Sequence, residues 1–600
     1  MRPSQTGDPS PFRDALEAHL SRNTPLWLLA LCASAFLLAY LSPVDASFSD
    51  PWGTLLTSQA IIEHGTIQLD PYTRDERYAY APIERAANGH AYNYFPLGSS
   101  VLALPAVWLA RLRGEDMVYR EDNRQLQNAL SAWTIVACTL LIFGLSRCFL
   151  NVAWSFGVTV TFVFGTSVAS SLGTAYWSSN PALVLGLVCV LLLAGKDPQK
   201  TASHRIEIGL AIIAFGAYLC RPTMAVVTLL VAGYLYLRRG RAPVAFCITF
   251  GACAGLFILF NWQEYGLLLP PYYQPSRLGS SRFWHALYGH LLSPSRGLLV
   301  GSPFFFLTLA GLGIWWRALI RQPLVSFCAA WLVLHWLAIS AFHHWWGGWS
   351  FGNRLFTDAL PAAFLLTILV IRTACKELSQ RSRLAATLAF WAASLFAIFV
   401  HTHQGLYNPY TLLWNDGVDR NEARVFDWHF PQFLANPAML GLHERDHELL
   451  AMAPFHVGRA ILPTTDHAIF EGWSPPEGNG AWRWSSSTSP SVLIKLEAPL
   501  PRDGLRLMIE AGTYGQQVIP VRLGATEVGT IRSQRHWEPA LYQIDLPPEV
   551  LLEARRPLPG GRLLQIDFDV PGAALVGDGP EERRLGICLR RITLAPLTGS

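Results

Sequence analysis

Asp50 stands in the segment Ser49-Asp50-Pro51-Trp52, directly after the first long apolar run of the chain. Pro51 suits the first position of a helix running to about Glu63, which predicts Asp50 at its N-cap. A carboxylate there serves either as a plain helix cap or as a base at a membrane surface, taking the proton of an attacking hydroxyl. Further on, Arg221-Pro222 interrupts an apolar stretch. An arginine at that depth either snorkels to water or grips an anion such as a phosphate through paired hydrogen bonds. Arg354 and Asp358 follow with i,i+4 spacing inside another apolar run, which suits an ion pair and a ligand contact equally. The segment His343-His344-Trp345-Trp346-Gly347-Gly348-Trp349 fits either an aromatic belt or a flat platform under a sugar ring. A mixed-charge run containing Asp70, Arg74, Asp75, Glu76, Arg77, Glu84 and Arg85 precedes His90, Tyr92 and Tyr94. Such runs are usually solvated surface, and the adjacent Asp75-Glu76 lacks a third ligand for a cation.

The elements that must position these groups are those of a membrane protein. Of the 600 residues, 51% are hydrophobic and 15% charged, with a mean hydropathy of +0.26. Soluble domains carry about 25% charged residues. The 46 basic and 42 acidic residues leave a net +4, too small and scattered for nucleic-acid binding. With 22 Trp, 32 Phe and 19 Tyr, disorder and collagen are excluded as well. Most of the ten cysteines lie in apolar runs as small hydrophobes, and no CxxC or Cys/His zinc spacing occurs. Cys588 is alone in the polar C-terminal part, which therefore has no internal disulfide.

Eleven apolar runs approach bilayer length: 25–42, 128–146, 152–172, 181–195, 206–220, 222–237, 243–262, 298–316, 323–342, 354–373 and 384–401. A twelfth, 97–112, would be only about 24 Å long as a helix, short of the hydrocarbon thickness. If it lies in the interface, the basic clusters at Arg2/Arg13/Arg22, Arg147, Lys196/Lys200/Arg205, Arg238/Arg239/Arg241, Arg317/Arg321 and Arg372/Lys376/Arg381/Arg383 all face one side. If it spans, all but the first change sides. The sequence thus predicts a cytoplasmic tail over 1–24, a membrane domain over 25–401 with eleven spans, and an external C-terminus. Val44-Asp45-Ala46 has the look of a cleavage site, but the long N-region and the spans that follow predict an uncleaved anchor. The outer face then holds the first loop, 43–127, and the segments 173–180, 263–297 and 343–353. Residues 402–459 read as a linker or cap on that face. From 460 to 600, short apolar or alternating runs such as SVLIKLEAPL, GLRLMIEA, QVIPVRL and RLLQIDFDV predict an antiparallel sandwich of about eight strands.

The acid directly after the first span and the long first outer loop resemble the GT-C glycosyltransferases. Gly89-His90-Ala91-Tyr92-Asn93-Tyr94-Phe95-Pro96-Leu97-Gly98 is similar to a juxtamembrane element of their protein O-mannosyltransferase and aminoarabinose transferase branch. The resemblance covers roughly residues 25–400. It implies a multi-pass enzyme of the bacterial plasma membrane. Such an enzyme moves a sugar, with inversion, from a polyprenyl-phosphate-linked donor to a glycan, lipid or protein acceptor at the outer face. By it, Asp50 deprotonates or orients the acceptor hydroxyl, and Arg221 and Arg354 hold the donor phosphate. Tyr92, Tyr94, His343, His344, Trp346 and Trp349 line the substrate site. No cofactor is required, and a divalent cation (Mg or Mn) is compatible. Family members often carry a second acid at the outer end of a later span; here Asn180, in GTAYWSSNP, stands at that place and cannot act as a base.

Leu291-Leu292-Ser293-Pro294-Ser295-Arg296-Gly297-Leu298-Leu299 and Gly347-Gly348-Trp349-Ser350-Phe351-Gly352-Asn353-Arg354 resemble segments of bacterial membrane proteins of this kind and imply no substrate. Gly472-Trp473-Ser474-Pro475-Pro476-Glu477, Arg483-Trp484 and Arg584-Leu585-Gly586-Ile587 resemble galactose-binding-like jelly rolls. That implies glycan contacts at Trp473, Trp484 or Trp537, where the alternative is an aromatic core. Two other classes of function stay open. A transporter or flippase of lipid-linked glycans calls for ionisable residues at mid-span and paired repeats. A non-catalytic glycan-binding scaffold calls for neither. Here the ionisable groups gather at the outer rim and no repeat is visible, which favours the enzyme.

Overall fold

The computed structural model describes residues 11–47, 49–73, 83–86, 88–195, 203–416, 418–419, 421–440, 452–497, 501, 503–524, 526–533, 536, 538–553, 555–558, 561–576 and 583–597. The chain forms two compact units, Met1–Leu440 and Gly441–Ser600. The segment expected as a linker is thereby divided, and up to Leu440 it belongs with the helices.

The first unit runs through α1 (Pro11–Arg22), α2 (Thr24–Tyr40) and α3 (Trp52–His64), then a short hairpin of β1 (Ile83–Arg85) and β2 (Ala91–Asn93). There follow α4 (Leu97–Leu112), α5 (Arg120–Arg147), α6 (Val152–Phe164), α7 (Ser179–Ala194), α8 (His204–Cys220), α9 (Ala225–Arg239) and α10 (Val244–Tyr265). The remaining helices are α11 (Phe283–Leu292), α12 (Leu298–Gly301), α13 (Phe304–Ile314), α14 (Trp316–Leu319), α15 (Pro323–Ser340), α16 (Leu360–Glu377) and α17 (Gln380–Ile398). A 3-10 turn, Arg354–Ala359, leads into α16.

A helix stands at each of the eleven apolar runs. Five segments are long and apolar enough to cross a membrane: Arg120–Arg147, Val244–Tyr265, Pro323–Ser340, Arg354–Glu377 and Gln380–Tyr407. The apolar helices α2, α4, α6, α7 and α13 have 11 to 17 residues, at or below the length a crossing needs. The chain is a multi-pass membrane protein with a large β-rich unit. α16 is almost wholly buried and forms the centre of the bundle. By contrast α10 turns Ile248, Leu256, Leu259 and Trp262 outward, as a helix facing acyl chains does.

Two local rules place the site. Arg221 precedes a proline, which disfavours helical geometry, so its backbone is extended (φ −147°, ψ 120°) and α8 ends there. α4 buries Gly98, Ser99, Ser100, Ala103, Val107 and Ala110 against α3 and α8, and exposes Leu102, Trp108, Leu109 and Leu112. Gly98 admits no side chain, because a Cβ would lie 2.5 Å from the Leu219 backbone. At the other end of α4, Arg111 meets Glu63 of α3 at 2.5 Å, and Gln59 donates to Asp116 at 3.0 Å.

The second unit holds two antiparallel sheets. One runs in the order β10 (Ala540–Leu546), β7 (Leu505–Thr513), β15 (Ile587–Pro596), β3 (Ala460–Ile461), with β5 (Arg483–Trp484) also on β15. The other runs β4 (Ala468–Glu471), β6 (Ser491–Leu496), β12 (Gly561–Phe568), β8 (Gln517–Leu523), β9 (Thr526–Ser533), with β11 (Arg555–Leu558) on β12. β13 (Ala574–Val576) and β14 (Arg583–Leu585) pair separately. Alternate residues of both sheets, among them Leu507, Ile509 and Ile592 against Val492, Ile519 and Ile566, share one apolar core. Among the described residues the strands are thus more numerous than the eight or so expected.

Candidate functional site

Asp50 is not a helix cap. Pro51 occupies the cap of α3, and no side chain accepts a hydrogen bond there. The Asp50 carboxylate turns instead to Arg354, whose Nη1 lies 3.2 Å from Oδ2. Arg354 begins the 3-10 turn, where Asn353 accepts from the Phe356 N–H, and its guanidinium lies 4.2 Å over the Trp177 ring. Its Nε is buried and makes no hydrogen bond.

Arg354 and Asp358 do not pair with each other. In a 3-10 turn residues three apart eclipse, so residues four apart point about a third of a turn away from one another. Asp358 faces Arg221: Nε donates to Oδ2 at 3.0 Å, and the Thr223 hydroxyl donates to the same oxygen at 3.0 Å. Both members are buried, with side chains 7% and 0% exposed, whereas Arg354 and Asp50 are 12% and 35% exposed. Arg221 Nη1 also reaches Ser178 Oγ at 3.4 Å. Consecutive residues, Trp177 and Ser178, therefore touch the two arginines, and the charge of Asp50 lies within electrostatic reach of Arg221.

Tyr94 joins this group. Its ring meets Tyr272 edge-on at 5.4 Å, and Arg277 lies over Tyr94, Tyr272 and Phe342 at 5.1, 4.0 and 4.6 Å. Burial pushes the Tyr94 hydroxyl up, and the neighbouring Arg277 charge opposes the shift. Tyr92 is spent on structure: its hydroxyl donates to the Glu264 carbonyl at 3.0 Å and accepts from Asn88 at 2.9 Å. Neither Arg277 nor Tyr272 stood out in the sequence, because both lie in an irregular loop whose partners are distant in the chain.

Of the two readings of the tryptophan segment, belt or platform, the flat platform is not formed. Trp345 and Trp346 are buried, and Trp346 Nε1 donates to Asp419 at 2.7 Å. Gly347 and Gly348, at φ 80° and 61°, turn the chain. His343 and His344 are exposed and Trp349 is half-buried. What holds this segment is Arg296, itself buried, which donates to Trp346 O at 2.7 Å, Asn415 Oδ1 at 2.6 Å and the Gln432 side chain. Burial, with Arg354 adding like charge, pulls Arg296 down to about 9. The two segments around Arg296 and Gly347 thus interlock with Asn415, Asp419 and Gln432 and fix the start of the 3-10 turn that carries Arg354.

Asn180 is structural. Its Oδ1 accepts from the Trp177 N–H at 3.0 Å, and its Nδ2 donates to Leu172 O at 3.1 Å. In the second unit, Trp473 and Trp484 are buried, with Trp473 donating to Ser491 O at 3.0 Å and meeting Phe568 edge-on. Neither offers a ring face to a glycan, so the expectation for both gives way to a core role. Trp537, Arg74, Asp75, Glu76 and Arg77 lie outside the described residues. Among the described residues no group of three or more His, Cys, Asp or Glu is placed to hold a metal ion.

No protein-family model matches the chain, and no curated protein matches it. Among solved structures it is similar to the oligosaccharyltransferase of Archaeoglobus fulgidus. With the form tethered to an acceptor peptide containing the NVT sequon, identity is 13% and the TM-score 0.41, over 70% of this chain. For the apo form the values are 12%, 0.40 and 68%. For the complex with an inhibitory peptide and a dolichol-phosphate they are 10%, 0.40 and 69%. The chain spans 60% of the length of each.

Proposed function

We propose that this protein is a GT-C-type glycosyltransferase that moves a sugar from a polyprenyl-phosphate-linked donor to an acceptor hydroxyl at the outer face of the plasma membrane. The observation that carries the reading is the gathering of Asp50, Arg354 and Arg221 around Trp177-Ser178, from segments up to 304 residues apart. In this scheme the eleven runs span, α4 lies in the interface, the N-terminus is cytoplasmic and the β-rich unit is external.

Arg354 and Arg221 receive the donor phosphate. The phosphate competes with Asp50 for Arg354, and that exchange frees the carboxylate. The acceptor oxygen attacks the anomeric carbon as the bond from that carbon to the phosphate oxygen breaks. The electron pair leaves with the polyprenyl phosphate, whose growing charge the arginines stabilise, and the hydroxyl proton passes to Asp50. Inversion follows from a single displacement. The acceptor is a glycan, lipid or protein hydroxyl, and a divalent cation would assist only by neutralising phosphate charge. Asp50→Asn in reconstituted membranes supplied with polyprenyl-phosphate sugars should abolish transfer; transfer at the wild-type rate would overturn the scheme. Carriage of the intact lipid-linked sugar across the bilayer without transfer would identify a flippase instead.

A further inference from the structure

Beside the ion pairs lies a pocket with an unusual polar inventory. Its lining is largely aromatic and includes Tyr94, Tyr272 and Phe260. Three of its lining residues carry a buried polar atom that, among the described residues, has no hydrogen bond: Nδ2 of Asn261, Nδ2 of Asn93 and Oε2 of Glu84. Asn261 is only 1% exposed, and Asn93 is buried with its Oδ1 already committed to the Phe95 N–H at 3.3 Å. A buried donor or acceptor left unpaired costs about 1–3 kcal/mol, and each such group in a native protein asks for a partner. Here three residues that line one pocket each carry such a group.

We propose that this pocket is a subsite for a neutral, hydroxyl-bearing sugar ring. Aromatic faces suit the C–H surfaces of such a ring, and two amide donors with one carboxylate acceptor suit its hydroxyls. The enclosed space, about 20 Å³, is water-sized, so the ring lies across the mouth against Tyr94 and Tyr272 and its hydroxyls reach inward, directly or through a water. Arg277, stacked on both tyrosines, holds that wall and adds a cationic charge behind it. The subsite rests on the transferase reading above, and the ring belongs either to the donor or to the acceptor.

The experiment uses the full-length protein in nanodiscs. Binding is measured for polyprenyl phosphate without a sugar and for the same carrier bearing mannose, glucose, galactose or arabinose. The wild type should favour at least one sugar-bearing carrier, and Asn261→Leu and Glu84→Gln should erase that preference by about tenfold while keeping affinity for the bare carrier. Asn261→Leu should also leave the melting temperature unchanged or raised, because it removes an unpaired buried amide. If donor preference persists but the KM for a sugar acceptor rises about tenfold in both variants, the ring is the acceptor's and the subsite stands. No sugar preference in the wild type together with unchanged acceptor KM in the variants would overturn it, as would equal loss of bare and sugar-bearing carriers. Failure of the wild type to bind any polyprenyl phosphate would instead defeat the transferase reading.

Discussion

Arg354–Asp50 and Arg221–Asp358 are the same chemical pair in two settings. The first joins the residue before the Pro51 cap of α3 to the turn before α16, is partly open, and makes one hydrogen bond at 3.2 Å. The second is sealed, and Thr223 and Ser178 tighten it. A partly exposed pair is worth little to stability and can exchange partners, whereas breaking a buried pair leaves an uncompensated charge. The difference teaches which carboxylate is free to take part in a reaction. In the proposed reaction Asp50 is the acid that an incoming anion displaces, and Asp358 is a positioning residue that holds Arg221 in place.

The largest effect should separate the two acids. Asp50→Asn should lower transfer by about 10²–10⁴-fold with an unchanged melting temperature, as general-base loss does. Asp358→Leu should do the opposite first, costing about 3–5 kcal/mol of stability in thermal unfolding. Adding Arg221→Leu to that variant should restore much of the stability and none of the transfer; a double variant as unstable as the single would break the comparison. Arg354→Gln should raise the donor KM roughly tenfold to a hundredfold while altering stability by less than about 1 kcal/mol. The smallest change, Thr223→Val, removes one hydrogen bond to Asp358 and should cost about 1 kcal/mol in the same unfolding measurement.

Much of the helical framework was legible because apolar runs report directly on burial in lipid or protein. The break at Arg221 was legible too, since proline acts on its immediate neighbour. In the second unit β6, β7, β8, β10, β12 and β15 coincide with the apolar runs, while β9 was missed: Thr526–Ser533 is mostly polar and half-exposed at the edge of its sheet. At the site, the identity of Asp50, Arg221, Arg354 and Tyr94 could be read, but not who faces whom. The i,i+4 spacing of Arg354 and Asp358 pointed to a helical pair, and the tighter 3-10 turn sent them to different partners. Trp345, Trp346, Trp473 and Trp484 look alike in sequence whether they stack on a ligand or fill a core. Arg277 and Asn261 carried no local signal, and Glu84 stood out only as one charge of a mixed run.

Local chemistry along the chain determined that this protein lies in a membrane, which stretches are helical, and that charged groups cluster at their ends. Those outcomes depend on near neighbours and on transfer from water, which each segment settles alone. Only the tertiary structure decided which arginine meets which carboxylate, which tryptophans are buried, and which amides are left without partners. Such choices depend on distances between segments hundreds of residues apart, and no short-range periodicity encodes them.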